Sequence, residues 1–125
     1  MSLIISKIFN DRIRIESDTR IMLNKECECF FCGQVKTLII TPTLTISSAG
    51  VVSHFDEVLI EIKKNYQQIT LDFVLDLLIK KNIESNNETS FLVCITQPRS
   101  EILKIENFAH GVAVASLFWR SVLFS

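Results

Sequence analysis

At 125 residues and 14.3 kDa the chain suits one domain with a single apolar core, and a hydrophobic content of 48% argues for a packed globular fold over a disordered chain. Thirteen Lys and Arg against fourteen Asp and Glu leave a formal net charge of −1, which gives no basic stripe for nucleic acid or an anionic membrane. The longest apolar run, Val112 to Trp119, is broken by Ser116 and is too short to span a bilayer, and no charged segment leads into an apolar one at the N-terminus. Composition predicts a soluble, cytoplasmic protein that uses neither nucleic acid nor membrane as a partner.

Taken in chain order, the first signal is the β-branched run Leu3–Phe9, followed by Asn10-Asp11 and then Arg12–Glu16. In the second run Ile13 and Ile15 alternate with Arg12, Arg14 and Glu16, the period of a half-buried strand, so the two runs predict a hairpin. A polar loop carrying Cys27, Cys29 and Cys32 follows, from about Asn24 to Gln34. Lys36–Ile40 and Leu44–Ser47 flank Thr41-Pro42-Thr43 and predict a second hairpin, with Pro42 at the turn.

The period changes after Gly50. Phe55, Val58, Leu59, Ile62 and Tyr66 follow helical spacing, and Ser53-x-x-Asp56 has the form of a capping box at the start. A second helix is predicted over Leu71–Lys81, capped by Thr70, with Leu71, Val74, Leu75 and Leu78 as its buried stripe. Phe73 and Leu77 widen that stripe and suggest contact on two sides. After a loop at Ser85–Thr89, Phe91–Ile95 and Ile102–Ile105 predict a third hairpin around Gln97–Ser100, and the apolar tail Val112–Phe124 is strand-like. Four strands, two helices and two or three further strands make an α+β layered architecture.

The CxCxxC stretch could supply zinc ligands, with Cys94, His54 or His110 completing the set. A second CxxC is missing, and Cys29 and Cys32 flank Phe30 and Phe31, so ordinary packing is the preferred reading and neither metal nor cofactor is expected. His54, in a helix first turn, and His110, in a loop, read as structural or surface residues.

This order, with several local strings, resembles the N-terminal-nucleophile (Ntn) hydrolases of the proteasome β-subunit type. Ser2 directly after Met1 stands at the nucleophile position, and Ser17-Asp18-Thr19-Arg20 matches the Asp-x-Arg element at the end of the second strand. Lys36 matches the lysine near the start of the third strand, and Ser48-Ala49-Gly50 matches the Ser/Ala-Gly that closes the fourth. The resemblance implies an αββα sandwich, incomplete here because the chain is shorter than the family domain. It implies one domain over residues 1–125, a peptide substrate, assembly with further copies, and a sheet face that a missing helix layer would leave exposed.

It also implies a chemistry. A Ser hydroxyl is a weak nucleophile until a base takes its proton, and the α-amine of the same residue, with an ordinary pKa of about 8, can be that base once Met1 is removed. Lys36 would place a positive charge beside the nucleophile, Asp18 would hold that ammonium, and the Gly50 N–H would donate to the oxyanion. Arg20 and Ser121 would support the site. Each residue also has a plain structural reading: an ion pair at a strand end, a solvated edge lysine, a strand-to-helix turn. The alternative from another class is a non-catalytic α+β module that binds a partner through the exposed sheet face and the wide apolar helix.

Overall fold

Leu3–Phe9 and Arg12–Glu16 do form a hairpin, and the alternation of their residues explains which way it faces. In the computed structural model, which describes residues 2–9, 12–18, 21–22, 30–31, 35–113 and 115–120, β1 spans Ser2–Phe9 and β2 spans Arg12–Ser17. Ile4 and Ser6 are buried, whereas Ile5, Lys7 and Phe9 are exposed, the two-residue period of a strand with one face on the core. On β2, Ile13 and Ile15 pack inward and Arg12, Arg14 and Glu16 stay in solvent. The last described strand, β10 (Ala115–Arg120), pairs antiparallel with the other edge of β1, Ser2 opposite Arg120, giving a three-stranded sheet in the order β10-β1-β2.

Ile21–Met22 (β3), just before the cysteine-bearing loop, and Phe30–Phe31 (β4), within it, form a short two-stranded ladder. Cys27, Cys29 and Cys32 lie outside the described residues, as do Arg20 and Ser121. Among the described residues no group of three or more His, Cys, Asp or Glu is placed to hold a metal.

The second sheet has five antiparallel strands in sequence order: β5 (Thr37–Thr41), β6 (Leu44–Ala49), β7 (Ser90–Ile95), β8 (Glu101–Glu106) and β9 (Ala109–Ala113). The hairpin at Pro42 and the one at Pro98 are thus as predicted. His110 lies in β9, opposite Ile105, rather than in a loop, because the tail turns back two residues after β8. Asn107 and Phe108 make that turn with φ of 54° and 67°, the two-residue arrangement whose twist matches the flanking strands.

Between β6 and β7 come α1 (Val52–Lys64), a 3-10 turn at Tyr66–Gln68, and α2 (Leu71–Glu84). Thr70 caps α2 as predicted, its hydroxyl accepting the Phe73 N–H at 3.2 Å. The capping box at α1 does not form. Helix begins one residue before Ser53, Val51 is the N-cap, and it makes no side-chain cap. Tyr66 lies beyond the end of α1 and is exposed, so the apolar stripe of that helix stops at Ile62.

These elements stack as three layers. Phe55, Val58 and Ile62 of α1 and Val74 and Leu78 of α2 pack on Leu44, Ile46, Phe91, Val93, Leu103 and Ile105, with Phe73 and Leu77 partly buried against the same cluster. The opposite face of the five-stranded sheet carries Ala49, Leu92, Cys94 and Ile102, which close on Ile4 of β1. Over the outer face of the three-stranded sheet no helix lies among the described residues. Ile5 and Phe9 are exposed there, with the Lys7 ammonium 5.0 Å from the Phe9 ring centre and Arg14 paired to Glu16 at 2.6 Å. Among the described residues this face therefore carries both apolar and charged side chains.

Candidate active site

Two hairpins bring the first pair of site residues together. Ile4 lies opposite Ser17 in the β1–β2 ladder, so the next residue, Asp18, falls beside Leu3 and donates its backbone N–H to the Leu3 carbonyl at 3.0 Å. Asp18 is therefore fixed one residue along from Ser2. Lys36 comes from the other sheet, where its carbonyl accepts the Ser48 N–H at 2.9 Å just before β5 begins. Its ammonium reaches across to donate to the Asp18 carboxylate in a close ion pair. The lysine side chain is 7% exposed and the aspartate 26% exposed, so the cation is shielded while the carboxylate keeps some water.

Adjacent hydroxyls brace this pair. Thr37, next to Lys36, donates to the Ser17 hydroxyl at 3.2 Å, and Ser17 is next to Asp18. Ser47, opposite Thr37 in the β5–β6 ladder and buried, shares a 2.8 Å hydrogen bond with the same threonine. Ser47 donating to Thr37, and Thr37 to Ser17, makes a short relay between the sheets that runs parallel to the ion pair.

Gly50 lies at the end of β6, beyond Ala49, which packs in one cluster with Ile4 of β1. Its φ of +142° suits glycine alone. A Cβ there would lie 2.3 Å from the Glu88 carbonyl oxygen and 2.5 Å from Thr89 Cα, so glycine is required by conformation and by contact. The turn it makes is secured by Thr89, whose hydroxyl accepts the Val51 N–H at 3.1 Å and lies 2.7 Å from His54 Nδ1.

The structure thus joins Asp18 to Lys36, ties Asp18 to the residue after Ser2, and ties Lys36 to the strand that precedes Gly50. Ser17, Thr37, Ser47, Thr89 and His54 support this corner and were not legible as site residues. Small hydroxyls in strands look like ordinary β-sheet composition, and Thr89 closes a polar stretch that reads as a loop. A buried polar residue flanked by polar neighbours leaves no periodic signal.

No family model matches the chain, and no curated protein matches it in sequence. Solved structures do. The Gly-1 mutant of Anbu from Hyphomicrobium sp. strain MC1 superposes with a TM-score of 0.74 at 15% identity, over 97% of this chain and 61% of that one. The eukaryotic HslV from Trypanosoma brucei gives a TM-score of 0.68 at 13% identity, over 94% of this chain and 71% of that one. The fold is that of the proteasome-like Ntn hydrolases. The chain spans about three fifths of the length of the Anbu chain it matches. Within the proteasome-like fold the two sheets and the α1–α2 layer are present among the described residues, and a second helix layer is not.

Proposed function

We propose that this chain is a proteasome-like N-terminal-nucleophile hydrolase that cleaves peptide amide bonds, with Ser2 as the nucleophile after removal of Met1. The Asp18–Lys36 ion pair carries the reading, because it places a shielded ammonium and its carboxylate next to the strand that begins with Ser2.

In this reading the free α-amine of Ser2 takes the hydroxyl proton as Oγ attacks the substrate carbonyl. The Lys36 ammonium, oriented by Asp18, stabilises the developing negative charge and disfavours protonation of the neighbouring amine. Negative charge that forms on the carbonyl oxygen is met by the Gly50 N–H. Collapse of the tetrahedral intermediate breaks the amide bond, and the departing amine leaves with the proton held by the Ser2 amine. Water, activated by the same amine, then releases the acyl group from Ser2 Oγ as a carboxylic acid. Arg20 and Ser121 are assigned supporting roles, and no cofactor enters any step. The domain is taken as residues 1–125, cytoplasmic and associated with further copies of itself.

Exposure of Ile5 and Phe9 on the uncovered sheet face favours a second reading, a non-catalytic module that docks partners there. Intact mass before and after incubation with a peptide epoxyketone separates the two, because that warhead needs a hydroxyl and a free α-amine on one residue. The hydrolase reading expects a species without Met1 that gains one inhibitor mass, and loss of that gain in Ser2→Ala and Lys36→Ala. A chain that keeps Met1, or loses it and stays unmodified, supports the module instead.

A further inference from the structure

Thr89 is wholly buried, every polar atom it has is engaged, and the partners come from the ends of both helices. Its N–H donates to the Ser85 hydroxyl at 3.2 Å and its carbonyl accepts from Asn82 Nδ2 at 2.7 Å, both at the end of α2. Its hydroxyl accepts the Val51 N–H at 3.1 Å and meets His54 Nδ1 at 2.7 Å, both at the start of α1. A hydroxyl has one proton and two acceptor sites, so the Thr89 oxygen can serve Val51 and His54 at the same time. Asn82, also wholly buried, is itself fixed, since its Oδ1 accepts the Phe108 N–H at 2.8 Å.

Val51 follows Gly50 directly, and the Thr89 backbone blocks any side chain at Gly50. The Gly50–Val51 peptide is therefore held by the Thr89 hydroxyl, and the backbone at Glu88 and Thr89 leaves room at Gly50 for glycine alone. We infer that Thr89, oriented by His54 and anchored by the end of α2, is the positioning residue that sets the direction of the Gly50 N–H. This inference rests on the hydrolase reading, in which that N–H receives the oxyanion. A donor set by a buried, fully bonded side chain needs no reorganisation when charge develops, which is the condition for strong oxyanion stabilisation.

The test compares the wild-type chain with Thr89→Val, Thr89→Ser and His54→Ala in hydrolysis of a fluorogenic peptide amide, with kcat and KM measured separately. Thr89→Val keeps the shape and removes the hydroxyl. It should lower kcat by about 10- to 100-fold with KM within about twofold, since a misdirected donor weakens the transition state and not ground-state binding. Thr89→Ser, which restores the hydroxyl, should return kcat to within about threefold of wild type, a rescue that packing alone would not produce. His54 is only half-buried, so His54→Ala serves if Thr89→Val does not fold, and it should lower kcat by an intermediate factor. An active wild type whose Thr89→Val and His54→Ala variants keep its kcat overturns the inference and leaves the hydrolase standing. A wild type that neither hydrolyses peptide nor takes up epoxyketone overturns the hydrolase reading and the inference with it.

Discussion

The two sheets of the sandwich use their strands differently. In β7 all six residues from Ser90 to Ile95 are buried, because odd and even positions face different partners: Phe91, Val93 and Ile95 meet the helices, and Leu92 and Cys94 meet the other sheet. In β1 only alternate residues are buried, and Ile5, Lys7 and Phe9 stand outside. A strand with two buried faces cannot carry an alternating pattern, whereas a strand with one buried face must. The difference teaches where the molecule has spent its apolar residues. The middle sheet is the structural centre, and the candidate site lies at the end of the sandwich where the two sheets exchange contacts.

The sharpest way to break this comparison is to remove one large side chain from each sheet. Phe91→Ala empties a site with no solvent exposure and should cost about 3–5 kcal/mol, whereas Ile5→Ala on the open face should cost about 1 kcal/mol or less. Urea midpoints of the two variants check this. Comparable losses would show that something covers the outer face in solution.

Gly50→Ala probes the corner where β6 leaves the middle sheet. The new Cβ must displace backbone at Glu88 and Thr89 and hold an unfavourable φ, so a loss of roughly 2–3 kcal/mol is expected, together with loss of any peptidase activity. A variant with wild-type stability in thermal unfolding would mean that the β6–α1 turn is looser than its contacts imply.

Between the sheets, burial pushes the Cys94 thiol up to about 11, and the neighbouring Ser6 hydroxyl acts weakly the other way. A thiol whose folded pKa is raised gives stability that is fully present below its unfolded pKa of 9.0 and is lost as pH rises toward 11. Two units at about 1.4 kcal/mol each set an upper bound of roughly 2–3 kcal/mol on that loss. Cys94→Ala should flatten the decline between pH 9 and 11, and mass mapping after thiol alkylation at pH 8 should find native Cys94 unmodified. The buried Ser6 hydroxyl lies beside the Cys94 thiol and makes no hydrogen bond of ordinary geometry among the described residues, so Ser6→Ala should change stability by no more than about 1 kcal/mol.

The smallest effect belongs to the helix surface. Lys81 donates to Glu57 at 2.7 Å and to Glu84 at 3.1 Å, bridging α2 to α1. The bond from Lys81 holds the Glu57 carboxyl below its ordinary range, so its share of stability is present above about pH 4.5 and is lost as pH falls through the lower folded value. The Lys81 ammonium is raised by the same partner, and its share is lost only as pH climbs above the ordinary lysine range. Glu57→Gln should shift the urea midpoint slightly at pH 6 and not at pH 3, with the difference shrinking in 1 M salt.

The local rules of the chain were legible from the sequence because they depend on residues a few positions apart. The β1–β2 alternation, the Pro42 and Pro98 hairpins, the Thr70 cap and the Val74–Leu78 stripe are all of this kind. The boundary of α1 was not, since Ser53 lost the cap position when Gly50 and Val51 were fixed by Thr89, a residue 38 positions away from Val51. The spacing of Ser2, Asp18, Lys36 and Gly50 pointed to a site, but only tertiary structure joins Asp18 to Lys36 and shows which hydroxyls brace them. The sequence by itself determined the elements and the candidate chemistry. The stacking of two sheets decided the ion pair, the Ser17–Thr37–Ser47 relay and the Thr89 anchor, because such contacts form only when distant strands are brought within hydrogen-bond reach, and no pattern of near neighbours encodes that distance.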